Sequence, residues 1–162
     1  MREITLICTG RLKEPFYIDA AEEYIKRLSH HCRIRVVEVP ETRLPPRPSP
    51  AQTAAALLKD ADTIQNRLTT VSPGHIAALC VEGTMCSSEE FARQLILRTD
   101  RSGGRLTFVI GGSNGLAESI KTQAAWKLSL SPMTFPHHLA RVVLLEQIYR
   151  AFQIHSGTAY HK

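Results

Sequence analysis

Two segments of this chain have the residue types and spacing of a ligand site. Residues 108–116 read Phe-Val-Ile-Gly-Gly-Ser-Asn-Gly-Leu, a buried-strand pattern running into Gly111, Gly112 and Gly115 before a helical pattern begins. Glycines let backbone approach a ligand closely, and the helix N-terminus beyond them can receive an anion or a polar ligand edge. The spacing is neither Gly-x-Gly-x-x-Gly nor a Walker loop, so neither a dinucleotide fold nor an NTPase is supported. Residues 128–137, Leu-Ser-Leu-Ser-Pro-Met-Thr-Phe-Pro-His, also leave a strand at its C-terminal end. Pro132 and Pro136 stiffen this segment, Met133 and Phe135 offer apolar walls, and free backbone groups can read a base edge. In open α/β sheets ligands sit beyond such strand ends, and two loops of this kind form a pocket for a nucleoside without phosphate. Each segment alone reads equally well as a tight turn or a rigid connector.

Charge adds a polyanion to the picture. The 162 residues carry a formal net charge of +5, concentrated at one end. Residues 121–162 hold five Lys/Arg against the single Glu146, together with His137, His138, His155 and His161. A positive field gathered this way suits RNA, although mild basicity also serves solubility alone. Residues 40–50 hold five prolines, which forbid regular structure and favour an extended, exposed loop. Arg43 and Arg47 in it can touch phosphate or simply face solvent. Cys8, Cys32, Cys80 and Cys86 show no Cys-x-x-Cys pair or zinc spacing, and all four read as reduced packing residues; no metal site is expected. No run approaches a membrane span and the N-terminus lacks a signal-peptide pattern, so a cytoplasmic protein is expected.

The elements that must position these segments alternate strand and helix, which argues one domain over residues 1–162 with a mostly parallel sheet flanked by helices. Strands are expected at 3–9, 33–39, 75–81, 105–110 and 128–131. Helices are expected at 16–28 (Phe16, Ala20, Tyr24 and Leu28 on one face), from Ser49-Pro50 to about Leu68 (Ala54, Leu57, Leu58, Ala61 and Ile64 inward), after Ser87, from the glycine loop to about Trp126, and over 139–154. The last helix is apolar nearly all round, which calls for burial in the core or against a partner. Glu146 and Arg150 in it stand i,i+4, the spacing of an ordinary ion pair.

The glycine segment, the 128–137 segment, the run from Arg141 to Phe152 and the ending Ala159-Tyr160-His161-Lys162 together resemble the RlmH family of bacterial SPOUT-class methyltransferases. That family methylates N3 of a pseudouridine in large-subunit (23S) ribosomal RNA. The resemblance spans the chain, is loose over residues 40–75, and leaves Pro132 and His138 at positions that vary. It implies a SPOUT-type α/β fold with a C-terminal trefoil knot, a homodimer, and S-adenosylmethionine bent in the knot. Carried over residue by residue, it puts cofactor contacts at Leu79, Gly112, Ser131, Pro132, Met133, Thr134, Phe135 and Pro136. It turns His137, Arg150, Tyr160 and His161 toward the RNA, the tail crossing over the partner's cofactor.

The reaction so implied is an in-line methyl transfer to a ring nitrogen whose proton must be lost. A histidine, His137 or His161, can take that proton, and Arg150 can stabilise the anion; the sequence does not choose between the histidines. Rival readings are a SPOUT methyltransferase of transfer RNA, a non-catalytic ribosome- or RNA-binding module, and a nucleotide-binding regulator. The missing ribose-binding acid after a Rossmann glycine loop counts against the last.

Overall fold

A computed structural model describes residues 1–160; His161, one of the four residues expected to face substrate, lies outside them. The chain runs β1 (Glu3–Thr9), α1 (Pro15–Leu28), β2 (Arg33–Val39), α2 (Pro50–Val71), β3 (His75–Thr84), α3 (Ser88–Arg101), β4 (Arg105–Ile110), α4 (Glu118–Gln123), β5 (Trp126–Leu128) and α5 (His137–His155). All five strands join one sheet in the order β2-β1-β4-β3-β5, every pair parallel. A parallel sheet needs cover on both faces. Alternate residues of β1 and β4 supply it with two cores. Ile4, Leu6, Leu106 and Phe108 pack under α1, α3 and α5, whereas Ile7 and Val109 pack under α2 and α4.

Helix starts are written locally. Ser49 caps α2 with a full capping box: its hydroxyl accepts the Gln52 N–H, and the Gln52 side chain accepts the Ser49 N–H. Ser87 caps α3 by accepting the Glu90 N–H at 3.2 Å.

Several expectations are corrected. The helix after the glycine loop stops at Gln123, and Trp126 belongs to β5. Its indole stacks into the core with ring centroids 5.5 Å from Phe91 and 6.1 Å from Phe108. Tertiary aromatic packing, not local propensity, decides this segment. Residues 129–131 are loop, and α5 begins two residues early, at His137. Phe16 is exposed at the mouth of α1, and Ala54 and Leu58 face solvent, because α2 turns Ala56, Ala61, Ile64 and Leu68 to the sheet. Cys86 is exposed, so it is no packing residue; Cys8 and Cys32 are buried and Cys80 half-buried, all four as free thiols. The helix α5 buries one face, Leu144, Leu145, Ile148 and Phe152, against α1 and α3, while Val142, Val143 and Tyr149 are only half-buried. Among the described residues no helix is long and apolar enough to cross a membrane.

Candidate active site

The site opens where β3, β4 and β5 end. Three connections converge there: the end of β3, the glycine loop after β4, and the segment between β5 and α5. They enclose a cavity of about 780 Å³, within the usual range for a small-molecule site. Leu79, Ile110, Leu116, Leu130, Met133 and Phe135 give it apolar walls. Glu82, paired with Lys121, is the carboxylate on its rim.

Both loops are held by their own backbone. In the glycine loop the Gly115 N–H donates to the Gly112 carbonyl at 3.0 Å, and a Cβ on Gly111 would run into the Gly115 carbonyl. Only glycine permits that fold-back. In the second loop the Ser129 hydroxyl donates to the Ser131 carbonyl at 3.0 Å, and the Ser131 hydroxyl accepts the Met133 N–H at 3.0 Å. The Ser129 N–H in turn reaches the Thr84 carbonyl at 3.1 Å, tying this loop to β3.

Of the residues expected to hold a cofactor, Leu79, Gly112, Ser131, Met133, Thr134, Phe135 and Pro136 line the cavity. Pro132 does not; it is exposed and serves the loop's shape. A side chain has no room at Gly112. A side chain there would point out of the cavity, into the Glu41 carboxylate, and would touch Thr9 Cγ2 at 3.1 Å. Glu41 is the reason: its carboxylate accepts the Ser113 N–H at 2.7 Å and stands 3.8 Å from His137 Nε2.

His137 is the first residue of α5 and lies at the cavity mouth. Its ring meets that of His138 edge-on at 4.1 Å, and Gly10, at φ +91°, passes so close that a Cβ would lie 3.2 Å from His137 Nε2. Burial lowers the His137 pKa, with help from the adjacent His138 and despite the Glu41 charge. The imidazole is therefore neutral at pH 7 and able to accept a proton. His138 Nδ1 lies 3.6 Å from Glu14.

Beneath this corner sits Arg141, 2% exposed. It donates to Glu38 and to the Gly10 carbonyl, each at 2.9 Å, clamping the β1 turn and β2 onto α5. Burial pushes the neighbouring Cys8 thiol up to about 12 even with this guanidinium beside it.

Arg150 and Tyr160 lie elsewhere. Arg150 bonds Glu146 at 2.6 Å, the i,i+4 pair legible in the sequence, and its guanidinium sits 5.0 Å from the Tyr160 ring centroid. Tyr160 packs edge-on to Tyr149 at 5.0 Å. Thirteen helical steps separate Arg150 from His137, roughly 20 Å at 1.5 Å per residue. The chain thus presents two separate clusters, not one.

Sequence reasoning missed Glu41, Gly10 and Arg141. Glu41 is hidden in a proline-rich stretch that reads as linker, and its partner Ser113 is 72 residues away. For Arg141 a signal existed: an arginine amid the apolar run of the last helix must find a buried partner.

The whole chain matches known proteins. Residues 2–161 match the family model described as "Predicted SPOUT methyltransferase". The chain is 41% identical, over 99% of its length and 99% of theirs, to the ribosomal RNA large subunit methyltransferase H of Carboxydothermus hydrogenoformans and to that of Streptococcus equi subsp. zooepidemicus. Among solved structures, a probable methyltransferase from Bordetella pertussis shares the fold at a TM-score of 0.57 and 16% identity, covering 92% of this chain and 93% of that one.

Proposed function

The chain belongs to the SPOUT methyltransferase family, and from that premise we propose that it methylates N3 of a pseudouridine in large-subunit ribosomal RNA, taking the methyl group from S-adenosylmethionine. The observation that carries the reading is the cavity walled by the glycine loop, Ser131 and residues 133–136 with a neutral imidazole at its mouth. These walls fit the cofactor: they are apolar, rigid and built at the strand ends, and the glycines admit close backbone approach without the charged cradle a phosphate needs. Leu79, Gly112, Ser131, Met133, Thr134, Phe135 and Pro136 would hold it. When bound, S-adenosylmethionine supplies an electrophilic methyl group on a sulfonium.

The protein's own residues then have three tasks. The two loops fix the donor in one orientation, and positioning of this kind is worth up to about 7–11 kcal/mol of barrier. His137, neutral at pH 7, accepts the proton leaving the ring nitrogen. Arg150 offers its charge to the resulting anion. The separation of His137 from Arg150 along α5 means that both reach one base only if they come from different protomers. A homodimer with the ending of one chain, Tyr160 included, laid over the cavity of the other satisfies that requirement, as a two-fold interface does twice over. The C-terminal trefoil knot and a cytoplasmic location belong to the same reading.

The test is methylation of purified ribosomes and of bulk transfer RNA with radiolabelled S-adenosylmethionine, followed by nucleoside mass spectrometry. The expected result is label in large-subunit RNA, recovered as a methylated pseudouridine. Label in transfer RNA alone selects the transfer-RNA reading, and cofactor binding with no transfer to any RNA selects a non-catalytic module.

A further inference from the structure

Beside the cavity runs a second depression of about 800 Å³, formed by Gly10, Arg11, Lys13 and Glu14 after β1 and by residues 38–44 at and beyond the end of β2. The two share a wall, Ser113, Asn114 and His137. A polymer whose target base enters the cavity mouth at His137 must therefore run its flanking chain across this groove or away from it.

The charges in the groove favour the first course. Three carboxylates line it, each beside another protein group. Glu38 is bonded by the buried Arg141, Glu41 accepts the Ser113 N–H, and Glu14 lies 3.6 Å from His138. Three exposed cations line it too, Arg11, Lys13 and Arg43, and among the described residues none of them is within ion-pair distance of a carboxylate. Glu38 and Glu41 are thus hydrogen-bonded into the corner, and although the Arg11 charge helps hold the Glu38 carboxyl low, none of the three cations donates a side-chain hydrogen bond among the described residues, so all three remain to face whatever enters. Proline-rich chain flanks Arg43 on both sides (Pro40, Pro45 and Pro46), so its backbone is stiff and little order need be gained on binding.

We propose that this groove seats the sugar–phosphate backbone of the RNA next to the methylated nucleotide, with Arg11, Lys13 and Arg43 as its phosphate contacts. The inference rests on the RNA methyltransferase reading and adds the path of the substrate to it. Contacts of this kind position an RNA without reading its sequence. Each releases condensed counterion, so the groove has a thermodynamic signature apart from catalysis.

The experiment measures binding of a fluorescent hairpin of large-subunit ribosomal RNA over a salt series, for the wild type and for Arg11→Gln/Lys13→Gln/Arg43→Gln. The slope of log K against log salt should become shallower by roughly 2 to 3, at about 0.7–0.9 for each phosphate that is no longer neutralised. The KM for ribosomal RNA should rise at least tenfold (~1.4 kcal/mol), with kcat at saturating RNA and S-adenosylmethionine affinity unchanged. A control with equal charge loss on the outer surface, Lys26→Gln/Lys59→Gln/Arg67→Gln, should keep the wild-type slope. Equal slopes for wild type and groove variant overturn the inference, as does an equal change in the control. Arg43→Gln alone, which should lower the slope by just under 1, covers the case in which the triple variant melts early. If the wild type methylates no large-subunit RNA while the groove variant still loses slope, the functional reading fails and the groove stands; the converse result removes only the groove.

Discussion

The Glu41 carboxylate accepts the Ser113 backbone N–H at 2.7 Å, joining the proline-rich loop to the glycine loop across 72 residues. One residue thereby joins the cavity wall to His137, since the same carboxylate stands 3.8 Å from His137 Nε2. Glu41→Ala removes an anchor of the cavity wall, and S-adenosylmethionine affinity should fall three- to tenfold, the scale of one partly exposed hydrogen bond at about 1 kcal/mol. Calorimetric titration checks this, and unchanged affinity would mean that the loop holds its shape unaided.

Glu41→Gln separates the charge from the hydrogen bond. The carboxylate charge raises the His137 pKa, against the larger lowering by burial and the neighbouring His138. Removing the charge takes the pKa lower still. A base works in its neutral form, so the acid limb of the pH profile for kcat/KM should move to lower pH. Arg141 and Glu14 also act on this imidazole, and both are intact in the variant. A limb that stays in place or moves upward would take His137 out of the base role.

The same imidazole makes a stability prediction of definite sign. His137 binds its proton less readily folded than unfolded. Stability from this group is therefore complete above the unfolded pKa, about 6.5, and is lost as pH falls through the folded value. Urea midpoints at pH 7.5 and pH 5.5 should differ for the wild type and differ less for His137→Asn. Equal pH dependence in the two proteins would show that the group is not perturbed by folding.

Arg141 is buried whereas Glu38 is partly solvated, so Arg141→Ala leaves an acid that water can still reach. The loss is then chiefly the charge-assisted bond to the Gly10 carbonyl, about 1.5–3 kcal/mol, rather than the full cost of an orphaned buried ion. The urea midpoint should fall accordingly, and Arg141→Lys should recover only part, because an ammonium cannot span Glu38 and Gly10 in the planar fork. A neutral Arg141→Ala would contradict the clamp.

How much of the fold and the site is legible in the sequence depends on the range of the interactions. The starts of α2 and α3 are legible because Ser49 and Ser87 act within three residues of themselves. The pairing of Glu146 with Arg150 is legible for the same reason. The glycine loop, Ser131 and residues 133–136 can be recognised as cavity walls because strand ends in parallel sheets carry the ligands. The β5 strand is misplaced by local patterning because its first residue, Trp126, is held by Phe91 and Phe108, which are distant in sequence. Glu41 and Arg141 escape notice because their partners, Ser113 and Glu38, lie 72 and 103 residues away. Pro132 looks like a cavity residue because its neighbours are; alternation along a loop is not set by any local rule.

The division of the site between protomers can be tested by mixing defects. His137→Ala and Arg150→Ala should each be inactive as homodimers, because the first lacks the proposed base and the second the proposed cation. Let the two proteins be unfolded together and refolded, or co-expressed with different tags. In a mixed dimer one composite site then combines both defects, while the other combines His137 of one chain with Arg150 of its partner and is whole. Random pairing makes about half of the dimers mixed, each with one good site of two, so roughly a quarter of wild-type activity should return. If both residues served a site within one chain, every site in every mixed dimer would carry one defect and no activity would return. The roughly 20 Å of helix between the two residues argues for the first outcome. A null result with each single variant shown to be folded and dimeric would overturn the division between protomers, whereas an active Arg150→Ala homodimer would remove Arg150 from the chemistry, leaving it to its ion pair with Glu146 and its contact with the Tyr160 ring.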